Sequence, residues 1–429
     1  MIAVALAQLQ RDFTVGVATS TWLVSGFYVA AAVGQPLMGR LVDQLGARRL
    51  FLAGLALVLV ASALTPFVPG FWWLVGLRVV QALGTSTAFP AALVLIRAAS
   101  PADGTPAGGL GAITVAGSTC AALGPVLGGF LVAAAGWQAV FLVNVPLTAI
   151  GLVLAWRVLP RHPATDPVPA GRRLAALDLP GVALFAATTI ALLLFLLSFA
   201  DRPRWFLLPV FALALVVLVL RERAVSTPFL DVRGLVANRA LTSVLVQQGS
   251  INLVFYCTFF ALPLWLESVR GFGSDQAGLF ILPVAGLGVL TVPLAARLIA
   301  RRGSKAALLV GSVVLLVATL GVQLLHDATP VLLVVAFSLL LGVPNGFNNL
   351  GLQTALYDAT PEGRTGSSGG LFQTFRYLGA ITATATIGVL FDRDLSSHGL
   401  HRLGLVMTAG AVLVLVLALL VRRGAARSA

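Results

Sequence analysis

The sequence predicts an all-α polytopic membrane protein, and three observations carry the prediction. Of its 429 residues, 59% are hydrophobic and only 10% charged, whereas a soluble domain carries about 25% charged residues. The mean hydropathy is +0.99. Apolar runs of membrane-crossing length recur along nearly the whole chain, too long and continuous for barrel strands. Hydrocarbon offers backbone groups no partner, so such runs must be helices. This composition excludes a soluble enzyme, a disordered chain and a secreted disulfide scaffold. The net charge of +13 comes from 28 basic residues, 27 of them arginine, scattered as short clusters between apolar runs. That pattern reports orientation in a membrane, with no nucleic-acid partner. Cys120 and Cys257 both lie in apolar stretches, so no disulfide or metal reading is attractive.

The spans follow in order. Met1–Leu9 is apolar, yet nine residues cannot cross a bilayer and no basic region precedes them as in a signal peptide. We read them as the tail of a first helix whose beginning is absent. Charge-free runs cover 13–39, 50–77, 79–96, 104–156, 179–200, 205–220, 240–266, 276–296, 306–326, 328–357 and 403–421, and 365–391 is interrupted only by Arg376. The Pro66–Gly70 turn lets Phe71–Leu77 and Arg78 join 79–96, and 104–156 splits at Gly136-Trp137 into two spans. Thirteen spans and a partial first one are best read as fourteen. Alternating the loops from a cytoplasmic one after 13–39 puts twenty basic residues inside and six outside. This positive-inside bias places the C-terminus in the cytoplasm.

The chain divides into a first helix bundle at 1–157, a Pro/Arg-rich cytoplasmic linker at 158–178, two further helices at 179–220, an amphipathic connector at 221–239, a second bundle at 240–421 and a tail at 422–429. A faint repeat relates the bundles. Ala-Ser-Pro at 99–101 precedes Gly108-Gly109 as Ala-Thr-Pro at 359–361 precedes Gly369-Gly370, and Gly46-Ala47-Arg48 pairs with Gly303-Ser304-Lys305. Two related halves around a central site are a transporter architecture.

Several motifs stand out. Gly39-Arg-Leu-Val-Asp43-Gln-Leu-Gly46-Ala-Arg48-Arg49 closes the second helix, with Asp43 the one acid in a basic turn and glycines that permit close helix approach. A generic stop-transfer loop is the plain alternative. Arg78 lies about seven residues inside a helix with Gln81 one turn on; an intramembrane charge is costly and normally faces a cavity or a partner. The alternative is an arginine snorkelling to the interface. Arg376 with Gln373 forms a similar pair nearer mid-span. In the fifth helix, small residues at 117, 121, 124 and 128 make a groove that a second backbone can enter, and Pro125 is expected to kink it. Gln247, Gln248, Asn252, Asn345, Asn348, Asn349 and Gln353 either line a polar cavity or bond between helices. Trp72, Trp73, Trp137 and Trp205 read as interfacial anchors. His398 and His401 share a loop with Asp392 and Asp394, but a metal site there is a weak reading, and no metal or cofactor is expected. No phosphate-binding glycine loop, HExxH or thiol pair occurs, so the chain carries no engine of its own.

Gly39–Arg49 resembles the signature loop of the major facilitator superfamily, and Arg78-x-x-Gln81-x-x-Gly84 its fourth-helix motif, with Ala82 where glycine is usual. Gly111-(x8)-Cys120-(x3)-Gly124-Pro125-(x2)-Gly128-Gly129 resembles the antiporter motif, Cys120 replacing a glycine. Trp137-x-x-x-Phe141-x-x-Asn144-x-Pro146, Asp178-x-x-Gly181 and Pro228-Phe-Leu-Asp231-Val-Arg233 resemble the fourteen-span drug:proton antiporter branch. The resemblance covers nearly the whole chain. It implies a major facilitator fold of two six-helix bundles plus two extra central helices, in the cytoplasmic membrane of a bacterium. It further implies that Gly39, Asp43, Gly46, Arg48 and Arg49 form an inner gate, Asp43 with Arg48 latching against the span that starts near Gly366. Arg78 would couple protons, and Gly124 and Pro125 would set the bend typical of exporters. Ala296-Arg-Leu-Ile-Ala300-Arg-Arg-Gly303 lacks the glycine and the acid, so no second latch is expected there. The branch usually carries an intramembrane acid; all fifteen acids here map to loops or span ends, and Glu267 is the nearest substitute.

The resulting expectation is a monomeric, non-enzymatic exporter of hydrophobic or cationic compounds in exchange for protons, with Gln81, Gln248, Asn252, Asn345, Asn349, Gln373 and Arg376 lining its cavity. A facilitator or importer of the same fold, a non-transporting sensor or scaffold, and more remotely a membrane enzyme are the alternatives.

Overall fold

The computed structural model describes residues 2–20, 22–100, 107–160, 178–198, 203–225, 228–273, 276, 279–280, 282–361, 363–391 and 395–420. Most of the 158–178 linker, the 422–429 tail, Asp392 and Asp394 lie outside the described residues.

All regular structure among the described residues is helical. Helix α1 (Ile2–Asp12) leads through a single turn, Val17–Ser20, into α2 (Trp22–Leu45) and α3 (Ala47–Leu64). Next come α4 (Phe71–Thr85), α5 (Ala88–Ala99), α6 (Ala107–Leu142) and α7 (Asn144–Val158). The central pair α8 (Leu179–Leu197) and α9 (Leu207–Ala224) is followed by the short α10 (Val232–Ala237). The second bundle comprises α11 (Arg239–Ser268), α12 (Leu282–Arg302), α13 (Ser304–Gly321), α14 (Val331–Ala359), α15 (Thr365–Phe391) and α16 (Ser397–Leu420).

Local chemistry explains the breaks. Gly46 joins α2 to α3 at φ +91° and Gly303 joins α12 to α13 at φ +80°, a half of the Ramachandran map that glycine enters without steric cost. The two turns stand at equivalent places in the two bundles, as the faint repeat anticipates. The span expected over 71–96 is divided at Ser86-Thr87. Pro90 lacks an N–H and crowds the carbonyl four residues back, and the Ser86 and Thr87 hydroxyls donate to the Ala82 and Gly84 carbonyls at 2.7 and 2.8 Å. The kink expected at Pro125 does not occur as a dihedral break. Within α6 the chain leaves helical geometry only at Ala135 and Gly136, the latter at φ +74°, where the sequence places the division between two spans. A proline late in a continuous helix can be absorbed by gentle curvature, whereas glycine can adopt the reversed dihedral outright.

In packing, α1–α7 form one bundle and α11–α16 the other. They meet along α2 against α15 and α6 against α12, with α5 also touching α15. Helices α8 and α9 pack on each other, and α8 leans on both α2 and α15. Among the described residues, ten helical stretches are long and apolar enough to cross a membrane. Large apolar side chains such as Leu147, Ile150, Leu213 and Leu290 stand on the outside, as a lipid solvent requires. Trp72, Trp73 and Trp205 are 62–69% exposed, in keeping with interfacial anchors. Trp137 is not one: it is 4% exposed, donates to the Asp12 carboxylate at 2.9 Å and packs on Phe13 and Phe141. It joins α1 to the first bundle's core with Leu9, Leu23, Phe71 and Leu74.

Candidate functional site between the two bundles

The bundles are tied most tightly at one end. The Asp43 carboxylate accepts from the Gly366 N–H at 2.7 Å, the Ser367 N–H at 2.8 Å and the Ser367 hydroxyl at 2.7 Å. These are first-turn groups of α15 that no intrahelical carbonyl can satisfy, so an acid from the other bundle caps the helix and meets its dipole. Close approach makes this possible. A Cβ on Gly39 would lie 2.2 Å from the Gly366 carbonyl oxygen, and one on Gly370 would lie 2.2 Å from that of Gln35. Arg97 adds a second tie that sequence reasoning did not single out. It donates to the Thr360 carbonyl at 3.2 Å and the Thr365 hydroxyl at 2.9 Å, beneath the Tyr357 ring. Its place at the last turn of α5, just before the Ala-Ser-Pro repeat, was the available signal.

Arg48 does not pair with Asp43. Its guanidinium donates to the Trp156 carbonyl at 2.8 Å and so holds the end of α7, within its own bundle. Arg49 is exposed. The turn at Gly46 carries the chain away from the interface immediately after Asp43, which is why only the acid reaches across.

Arg78 is held by neutral partners. It donates to the Leu23 carbonyl at 3.4 Å and to the Gln81 side chain at 3.0 Å, and lies over the Phe27 ring at 4.3 Å. Gln81 in turn donates to the Ser62 hydroxyl at 2.9 Å, so it props Arg78 from the bundle interior. Arg376, about 16 Å along α15 from Thr365, is surrounded by protein yet exposed, so it faces an opening between helices. The Tyr256 hydroxyl of α11 bonds it, and Tyr28 of α2 and Tyr377 lie close enough to interact electrostatically. The Tyr28 and Tyr377 rings are 5.8 Å apart across the interface, backed by Leu193 of α8.

The remaining expected cavity residues are dispersed. Asn345 and Asn349 bond each other beside Gly288 of α12, and both are half-buried, as is Gln373. Asn252 donates to the Gln248 carbonyl at 2.8 Å within α11, and both are buried. Asn348 is buried against Gly311 of α13. Glu267 stands in the last turn of α11, about 16 Å of helix beyond Tyr256, and is not brought to Arg78. On α6, Gly111 faces Val292 of α12 at ordinary contact distance, while nothing lies within 4 Å of a Cβ at Gly117 or Gly129. Of the expected backbone groove at 117, 121, 124 and 128, the position at Gly117 is therefore not entered by a second backbone. Cys120 is exposed, Gly124 half-buried and Gly128 buried; the Pro125 side chain lies outside the description.

A second polar cluster gives the Asp178 and Pro228 motifs a structural role. Asp178 caps α8 through the Gly181 N–H at 3.2 Å and accepts from Arg221 at 2.9 and 2.5 Å and from the Phe229 N–H at 2.8 Å. Burial opposes ionisation of Asp178, but these donors outweigh it and hold the carboxyl below its ordinary range. Glu222 accepts from the Leu230 N–H at 2.7 Å. The connector so fixed reaches both bundles: Arg40 donates to the Pro228 carbonyl at 2.5 Å, Asp231 pairs with Arg364, and Asn238 donates to the Ala359 carbonyl at 2.8 Å.

Two helical bundles packed side by side, a latch at one end and a charged side chain deep between them define a polytopic carrier. The Major Facilitator Superfamily model matches residues 1–384, and the chain belongs to that family. It is 35% identical over 416 residues to an uncharacterized MFS-type transporter, YwoD, of Bacillus subtilis, covering 95% of this chain and 89% of that one. It is 28% identical to the tetracenomycin C resistance and export protein of Streptomyces glaucescens, covering 91% of this chain and 72% of that protein. In three dimensions it is similar to the crystal structure of the human organic anion transporter MFSD10, with a TM-score of 0.64 and 16% identity over 95% of this chain and 88% of that one. The fold is therefore that of a major facilitator transporter, in a multi-pass membrane protein.

Proposed function

We propose that this protein is a secondary transporter that exports amphipathic small molecules by alternating access, in exchange for protons. The observation that carries the reading is the asymmetry of the interface. One end is sealed by the Asp43 latch, while Arg376 remains accessible deeper in the membrane. The positive-inside bias assigns the latched end to the cytoplasm and, with the α8–α9 pair, supports fourteen spans. The antiporter-like motif on α6 and the relative named for tetracenomycin C resistance and export favour export.

A proton-independent facilitator is the second reading, favoured by the position of all fifteen acids in loops or at span ends. Proton release from acidified everted vesicles, on adding a panel of lipophilic compounds, separates the two. Antiport gives substrate-dependent release that is lost in Arg78→Ala; a facilitator moves labelled substrate without it.

A further inference from the structure

We infer that the exposed guanidinium of Arg376 binds the anionic group of an aromatic or amphipathic organic acid, so that the transported substrates are organic anions. The inference deepens the transporter reading and rests on it.

The two charges set well inside the spans have the same sign. Arg78 comes from the first bundle and Arg376 from the second, and Tyr28 and Tyr377 lie within electrostatic reach of both. None of the fifteen acids in the chain lies near the middle of a span. A cation entering this space would meet two guanidinium groups and no carboxylate. Arg78 is already satisfied by a carbonyl, a glutamine and an aromatic face. Arg376 is bonded by the neutral Tyr256 hydroxyl and keeps exposed surface. A guanidinium in this position carries an unmet demand for charge, and its planar fork of N–H donors matches a carboxylate, sulfonate or phosphate.

The tyrosines complete the site. Three of the four in the chain, Tyr28, Tyr256 and Tyr377, gather at Arg376. Their hydroxyls can donate to an anion's oxygens, and the like charge of Arg376 and Arg78 selects against a cation. Around them stand half-buried rings. Phe255 meets Tyr256 edge-on at 5.5 Å and stacks with Phe259 at 5.9 Å, and Phe27 adjoins Tyr28 at 6.3 Å. Such walls suit a flat apolar body attached to the charged group.

The test uses three fluorescent probes with one aromatic body: pyrenebutyrate, pyrenebutanol and a pyrenebutyl trimethylammonium salt. Binding to the purified full-length protein in nanodiscs is read by energy transfer from tryptophan, and uptake is read in everted vesicles. The expected result is that the carboxylate binds at least about tenfold tighter than the alcohol or the ammonium. Arg376→Gln abolishes that preference with the alcohol's affinity unchanged, and Arg376→Lys retains part of it. Tyr256→Phe, which keeps the ring and so the packing, weakens the carboxylate alone by several-fold. Equal or tighter binding of the ammonium, binding of none of the three, or a carboxylate preference that survives Arg376→Gln overturns the inference. Selective binding without uptake leaves the anion site standing and removes the transporter reading; uptake of the ammonium alone does the reverse.

Discussion

Gly39 shows how one missing side chain determines an interface. The α2 and α15 backbones touch because neither Gly39 nor Gly366 carries a Cβ, and only at that separation does the Asp43 carboxylate reach three donors. In Gly39→Ala the added carbon would meet a backbone oxygen that cannot rotate away, so the helices must part. The closed latch should lose about 1–3 kcal/mol, the cost of hydrogen bonds to a charged group. With Cys120 replaced by serine, a cysteine at the buried Ser368 should then react with a maleimide about tenfold faster than in the Gly39 parent. Asp43→Asn should move the same readout in the same direction without a steric change. Trp137→Phe tests a different contact. It keeps most of the ring's packing but loses the bond to Asp12, and should lower thermal stability by about 1 kcal/mol, read as a drop in Tm.

At the scale of elements, the segment from Asp178 to Asn238 acts as a strap. The α8–α9 pair touches the bundles chiefly along α8, whereas its connector ties to α2 through Arg40 and to the α14–α15 region through Arg364 and Asn238. Gly181 is required inside this knot, because a Cβ there would sit 2.4 Å from Asp178 Oδ2 and 2.5 Å from Glu222 Oε1. Asp178→Asn should loosen the connector by about 2 kcal/mol, seen as roughly thirtyfold faster tryptic cleavage at Arg223 or Arg233 in everted vesicles. The pH dependence follows from the lowered carboxyl. A group depressed in the folded state contributes fully above its unfolded value, about 3.9, and the contribution fades as pH falls through the folded value. Protection of the wild-type connector should therefore stay level from neutral pH down to about pH 4 and weaken only below it. Loss of protection nearer pH 6 would assign the connector's stability to another group.

For the whole molecule, the tight contacts and the openings divide the interface by depth. Hydrogen bonds between bundles run from the Arg97 and Asp43 ties to Thr374, which donates to the Ala32 carbonyl at 3.1 Å. Arg376 follows about half a turn further on, and there the surface is accessible. Alternating access requires the latched end to open when the other closes, so latch mutations should shift the population between two states without abolishing the fold. The strap adds to the same latched end, and loss of both ties should sum beyond either alone if they oppose one motion. Double-electron resonance distances between spin labels at the ends of α3 and α13 would report that shift.

Hydropathy and charge, which act along the chain, were enough to establish the membrane class, the order of nearly all the helices, the Gly136 division and the glycine turns at Gly46 and Gly303. Hydrocarbon imposes one answer on long apolar runs, and reversed dihedrals call for glycine. The acid of the latch was picked out through the family resemblance, since a lone carboxylate in a basic turn fits a stop-transfer loop equally well. The resemblance pointed to the span start at Gly366 as its partner, and Gly366 does donate to it; Arg48 was wrongly joined to the latch, because the Gly46 corner turns it toward α7, and Ser367 was not foreseen. Nor could spacing separate Arg78, satisfied within its own bundle, from Arg376, left open among three tyrosines drawn from α2, α11 and α15. Which polar groups meet is decided by how helices distant in sequence pack, and only the tertiary structure makes that choice.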